Sequence, residues 1–260
     1  PADIVAFVTL GLMLIAVKKE LLHDFKLPGV KAWLMWIGVA VIGWLVILPQ
    51  TSISEIAVGG AYLVRYIVYT GFLWPVSRIL SEDQKHQLIN SVKWLLLFFS
   101  VAGFAVYIIK PDMRSLYYSG WDDHYYRLTG LFLDPGFSGF WIGTGIVVWL
   151  NEYIKDSSNW KEHAAKTASL VFLIVSLALT FSRASYLSFS IAIVVWTIIT
   201  RRFIVGASIL ISLVVAIYLA PKPAGEGVNL VRTSTANFRI VNAQQSGDVI
   251  AQSPWLGNGY

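Results

Sequence analysis

Four arginines stand where an apolar chain has least use for them: Arg65, Arg127, Arg183 and Arg239. A guanidinium stays charged and presents planar donors that grip two phosphate oxygens at once. At a membrane boundary it therefore suits a phosphate or pyrophosphate, and it would stabilise that group as it leaves a broken bond. Arg127 lies in Tyr126-Arg-Leu-Thr-Gly-Leu-Phe-Leu-Asp134-Pro-Gly136, where a polar loop turns into a fresh apolar run. It serves there as an interfacial anchor, as a partner for Asp122, Asp123 or Asp134, or as a site residue. Arg183 follows Ser182 between two apolar runs with few polar neighbours. Ionisable groups at membrane depth are costly and often functional, although an arginine at a tight turn also snorkels to the head groups. Arg65 falls inside an apolar run, facing a water-filled cavity or paired with a carboxylate. Arg239, taken alone, reads as a solvated charge on a surface helix.

The elements that must position these residues are set by hydropathy. Apolar residues make up 56% of the 260 positions and charged residues 13%, against about 25% charged in soluble domains. Apolar runs cover 4–17, 32–48, 56–76, 94–109, 137–154, 168–181, 184–199 and 203–219, several of them near the ~17–25 residues that cross a bilayer. The expectation is an all-α, polytopic transmembrane helical bundle of about eight spans in residues 1–220. Residues 221–260 then begin a large extramembrane loop with one surface helix near 236–245. The chain reads as a fragment, with N-terminal spans missing and the loop truncated. The connections 18–31, 78–93, 155–166 and 201–202 hold the larger share of the lysines and arginines, which predicts that they are cytoplasmic. Arg127, Arg183 and Arg239 then fall together on the outer side.

Several chemistries lose support. The chain has no cysteine, so thiolate nucleophiles and thiolate metal sites are excluded. The net charge of +5 is explained by topology and anionic membrane lipid, and no nucleic-acid partner is expected. Asp122-Asp123-His124 carries ligating atoms without a recognised spacing, so no metal is expected. Ser182 has no evident histidine partner. Gly225-Glu226-Gly227 and Gly257-Asn258-Gly259 are too short for a nucleotide fingerprint and read as turns.

Three pieces together resemble a known family: Arg127-Leu-Thr-Gly130 with Asp134-Pro-Gly136; Leu179-Thr-Phe-Ser-Arg183-Ala; and Arg239 followed by Ser253-Pro-Trp-Leu-Gly-Asn-Gly259. From about Arg127 to Tyr260 the chain is similar to the O-antigen ligase and O-antigen polymerase superfamily of bacterial membrane glycosyltransferases. The resemblance implies transfer of a glycan from a polyprenyl-pyrophosphate-linked donor to a glycan or lipid acceptor at the outer face of the inner membrane. It implies an inverting reaction without metal or other cofactor, with Arg127, Arg183 and Arg239 as catalytic candidates. Tyr126, Asp134 and Ser182 beside them, and Arg65 within its span, are the substrate-binding candidates. The histidine that serves such enzymes as base follows the Gly-x-Gly region and is expected beyond Tyr260; His124 does not occupy its place. The competing expectation is a transporter or flippase of a phosphorylated lipid-linked substrate. That class commonly shows an internal repeat, and none is visible in the sequence. A structural membrane protein would need no converging cations.

Overall fold

The computed structural model describes residues 2–16, 30–72, 80–119, 124–154, 159–223, 226–231, 234–252 and 254. Among them are nine α-helices: α1 (Ala2–Ala16), α2 (Val30–Ile47), α3 (Ile53–Gly71), α4 (Glu82–Ile109), α5 (Pro135–Tyr153), α6 (Trp160–Leu179), α7 (Arg183–Thr200), α8 (Phe203–Leu219) and α9 (Ser234–Gln252). The described residues contain no named strand, only an isolated antiparallel bridge between Asp112 and Tyr125. Each of the eight apolar runs falls largely within a helix. Helix α4 starts well before its apolar run because the polar turns ahead of Trp94 are themselves helical, with Lys85 pairing to Glu82 at 2.7 Å. Helix α9 is longer than the surface helix expected at 236–245.

Two compact units divide the chain, Pro1–His86 with Thr233–Tyr260, and Gln87–Arg232. In the first, α2 and α3 run antiparallel: Trp33 Nε1 donates to Thr70 Oγ1 at 2.8 Å and Trp44 Nε1 to Ile56 O at 3.2 Å. Helix α3 opens with a capping box. Ser52 accepts from Glu55 N–H while the Glu55 carboxylate accepts from Ser52 N–H at 3.0 Å, so two otherwise orphaned donors are satisfied. Helix α1 runs parallel to α3, with Asp3 on Arg65 and Leu10 over Gly71.

The second unit is built around α5, which packs on α6 and α7 and approaches α4 through Gly145 and Leu96. Ile146, Leu150, Leu173, Leu177 and Ile193 are fully buried in its core. Small residues on α5 allow the close approach: Gly145 faces Leu96 and Leu173, Gly143 faces Phe189, and Gly139 faces Ser185. Small-residue contacts are how helices associate where lipid removes the hydrophobic drive between them. At the far end Lys93 pairs with Glu152 at 3.8 Å and Trp196 Nε1 donates to Asn151 Oδ1 at 2.9 Å. These pairs make α4 and α5 antiparallel, and α5 and α7 parallel.

Among the described residues α4, α6 and α7 are long and apolar enough to cross a membrane, and Lys31–Val46 and α8 are shorter apolar helices. On α8, Ile204 is 84% and Tyr218 79% exposed. Apolar faces this bare are costly in water and suit a bilayer.

Candidate functional site

The Arg127 end of the second unit begins with the loop after α4. Tyr126 N–H donates to Pro111 O at 2.9 Å and Met113 N–H to His124 O at 2.8 Å, folding the loop onto itself. Arg114 pairs with Asp112 at 2.7 Å and lies 4.3 Å over the Tyr125 ring. Those hydrogen bonds from Arg114 hold the Asp112 carboxyl down at about 2. A carboxyl depressed on folding contributes stability above its ordinary value and loses it as pH falls toward the folded one. The Asp112 carboxyl is therefore expected to titrate near 2 by NMR in folded protein and to return to the ordinary carboxylate range in Arg114→Gln. An unchanged midpoint in that variant would remove Arg114 as the cause.

Arg127 reaches from this loop to the turn between α6 and α7. Its Nε donates to Thr180 O at 3.2 Å and its Nη2 to Phe181 O at 3.3 Å, while Nη1 lies 3.4 Å from His124 Nδ1. Leu128 N–H donates to Leu179 O at 2.8 Å. The last carbonyls of a helix lack partners within it and carry partial negative charge, so a guanidinium there both satisfies and neutralises them. Because arginine only donates, a hydrogen bond here requires the His124 nitrogen facing it to act as acceptor.

The turn itself is tight. Thr180 Oγ1 donates to Leu177 O at 2.7 Å and accepts from Ser182 N–H at 3.3 Å. Fully buried Phe181 takes φ 47°, a left-handed conformation that costs a non-glycine residue about 1–3 kcal/mol. Tyr126 (φ 50°) and Leu133 (φ 56°) share it. Three such residues thus flank Arg127, Asp134 and Ser182, and backbone strain of this kind clusters at functional sites.

Asp134 and Ser182 are the N-caps of α5 and α7. Asp134 accepts from Phe137 N–H, with Pro135 at the first helical position; Ser182 accepts from Ser185 N–H at 3.3 Å. The two helix starts touch: Ser185 Oγ donates to Gly136 O at 3.0 Å and lies 2.8 Å from Ser182 Oγ. Arg183 stands at the first position of α7, half-buried, its Nη1 donating to Leu230 O at 3.4 Å. The segment after α8 returns here, with Gly227 so close to the Arg127 side chain that an added Cβ would lie 3.1 Å from its Cδ.

Of the sequence candidates, the fold thus brings Tyr126, Arg127, Asp134, Ser182 and Arg183 to one end of the second unit. Arg65 and Arg239 belong to the first unit. Arg65 pairs with Asp3 at 2.9 Å, one of its two expected environments, and Arg239 is exposed on α9. Asp122, Asp123, Gly225 and the Gly257-Asn258-Gly259 segment lie outside the described residues. Sequence reasoning weighed His124 only as a ligand or base, read Gly227 as part of a turn and quoted Thr180 only within a motif; it placed none of them beside Arg127, and it passed over Ser185. Only Ser185 left a signal, the Ser-x-x-Ser spacing that lets a capping serine meet the third residue of its helix.

No family model, curated protein or solved structure matches this chain. Two helix N-termini, which attract anions, meet at the same end as two guanidiniums. Arg127 spends two of its nitrogens on the carbonyls just ahead of Ser182 and Arg183 and so fastens that turn. Replacing it with alanine is expected to cost about 1–2 kcal/mol and to speed amide exchange across residues 180–185. Unchanged exchange there would show that the turn holds without it.

Proposed function

We propose that the chain, with about eight spans in residues 1–220, acts as a bacterial inner-membrane glycosyltransferase of the O-antigen ligase or polysaccharide polymerase type. It would move a glycan from a polyprenyl-pyrophosphate carrier to an acceptor hydroxyl on the periplasmic side. The observation that carries this reading is the bonding of Arg127 to the carbonyls just ahead of Ser182-Arg183. Two cations from segments remote in sequence thereby share one end of an apolar helical unit with the starts of α5 and α7.

In this reading the polyprenyl tail lies against the bare apolar faces and the pyrophosphate meets Arg183 and the helix N-termini. The acceptor oxygen bonds to the anomeric carbon from the face opposite the pyrophosphate. The carbon–oxygen bond to the carrier breaks, and its electron pair leaves with the pyrophosphate, whose growing charge the fixed cation stabilises. The acceptor proton passes to a general base, which the resemblance places after the Gly-x-Gly segment. Asp134 and Ser182 hold the helix starts, and Arg239 enters on the resemblance alone. The test is to supply the protein in liposomes with polyprenyl-pyrophosphate-linked glycan and, in turn, a lipid acceptor and a second carrier-linked glycan. Transfer to one of them is expected; an untouched donor in every arm would overturn the reading.

A further inference from the structure

The first unit contains a groove of about 220 Å³ between α1 and α3, lined by Asp3, Phe7, Tyr62, Arg65, Val68 and Tyr69. Its walls are apolar and aromatic except for one ion pair. Arg65 Nε meets Asp3 Oδ1 at 2.9 Å, and the same oxygen accepts from Tyr69 O–H at 3.1 Å. Both contacts fall on one carboxylate oxygen and use one guanidinium nitrogen. Among the described residues, Arg65 Nη1 and Nη2 and Asp3 Oδ2 have no hydrogen-bond partner. The side chains of Arg65 and Asp3 are 50% and 54% exposed, so the open donors and the open acceptor border the groove side by side.

The level of the pair matters. Arg65 lies nearer the Gly71 end of α3 than the Ile53 end, among Tyr62, Tyr66 and Tyr69, and Trp33 joins Thr70 at that same end. Tyrosine and tryptophan gather where bilayer meets water, which puts this groove within reach of lipid head groups. An anion alone would meet Asp3 as well as Arg65, and a cation alone would meet Arg65 as well as Asp3. A ligand that complements both carries a phosphate and an ammonium a few bonds apart.

We propose that this groove binds the head group of a zwitterionic aminophospholipid, its phosphate on the Arg65 Nη groups and its primary ammonium on Asp3 Oδ2. The ammonium donates hydrogen bonds that a quaternary choline lacks, so the site discriminates phosphatidylethanolamine from phosphatidylcholine. It also rejects phosphatidylglycerol, which brings a phosphate and leaves the carboxylate unpaired. The apolar wall on the Ile53 side of the pair, with Ala61 and Val64, receives the start of the acyl chains. This site makes no use of the Arg127 end of the second unit.

Native mass spectrometry of the intact protein, released from mixed vesicles of phosphatidylethanolamine, phosphatidylcholine and phosphatidylglycerol in equal parts, tests it. Wild-type protein is expected to retain phosphatidylethanolamine about tenfold over the other two, the size of one lost charge-assisted hydrogen bond. Asp3→Asn keeps the volume and removes the ammonium's counter-charge, so retention shifts toward phosphatidylglycerol. Arg65→Ala loses the preference for phospholipid phosphate altogether. Equal retention of the three lipids by wild-type protein would overturn the proposal without recourse to any variant. So would an unaltered order of preference in a folded Asp3→Asn protein.

Discussion

Arg183→Ala is expected to lower glycan transfer by about 10²–10³-fold, the cost of removing a group aimed at charge that develops in a transition state. The same substitution should leave thermal stability at or slightly above the wild-type level. The two halves of this expectation come from one observation. Arg183 is the first residue of α7, where the helix dipole is positive and a cation is unfavourable by a few tenths of a kcal/mol to about 1. Its hydrogen bond to Leu230 O is long, at 3.4 Å. A cation retained against the local field is the kind of inconsistency that marks a functional position. An anion bound there reverses the sign of the interaction, since helix start and guanidinium then act together. Arg183→Lys keeps the charge without the planar fork and should recover only part of the rate, with the loss mainly in kcat if the contact strengthens as pyrophosphate leaves. Donor-to-acceptor transfer in liposomes, measured beside a melting curve for each variant, separates the outcomes. Full transfer by a folded Arg183→Ala protein would end the case for this residue.

How far the sequence showed this arrangement depended on the kind of signal involved. Hydropathy is local, and the apolar runs fall where the helices are; Asp134-Pro135-Gly136, just ahead of one such run, opens α5, because a cap and a proline at the first position act within one turn. What remained hidden was tertiary. Arg127 bonds two backbone carbonyls more than fifty residues away, and a carbonyl has no side-chain signature. Of the carboxylates weighed as its partners, Asp134 caps α5 through Phe137 N–H, and Asp122 and Asp123 lie outside the described residues. For Arg65 the sequence left a water-filled cavity and a carboxylate pair open. The fold supplies Asp3 from a parallel helix, and no periodicity in α3 could have named it. The glycines of α5 looked like ordinary small residues of a membrane run until their neighbours were known.

One of those glycines gives the largest expected change in stability. At Gly139 an added Cβ would overlap Ser185, meeting its Cβ at 2.5 Å and its Oγ closer still. The Oγ is free to rotate away, but the Cβ is fixed to the backbone of α7, so even Gly139→Ala obliges α5 and α7 to move apart. Overpacking of this kind costs about 1–3 kcal/mol, and Gly139→Val should lie at or beyond the upper end. The shift also separates Ser185 Oγ from Gly136 O, 3.0 Å away, and this contact holds the starts of α5 and α7 together. Transfer should therefore fall by more than the folded fraction does, since the surviving folded molecules carry a displaced Arg183. Gly38→Ala on α2 is the control: nothing lies within 4 Å of an added Cβ there, and replacing a mid-helix glycine should be neutral or stabilising by up to about 1 kcal/mol. Tryptophan fluorescence melting in detergent reads both variants. If Gly139→Val melts with the wild type, the close seating of α5 on α7 is wrong, and the support it lends to the Arg183 site is lost with it.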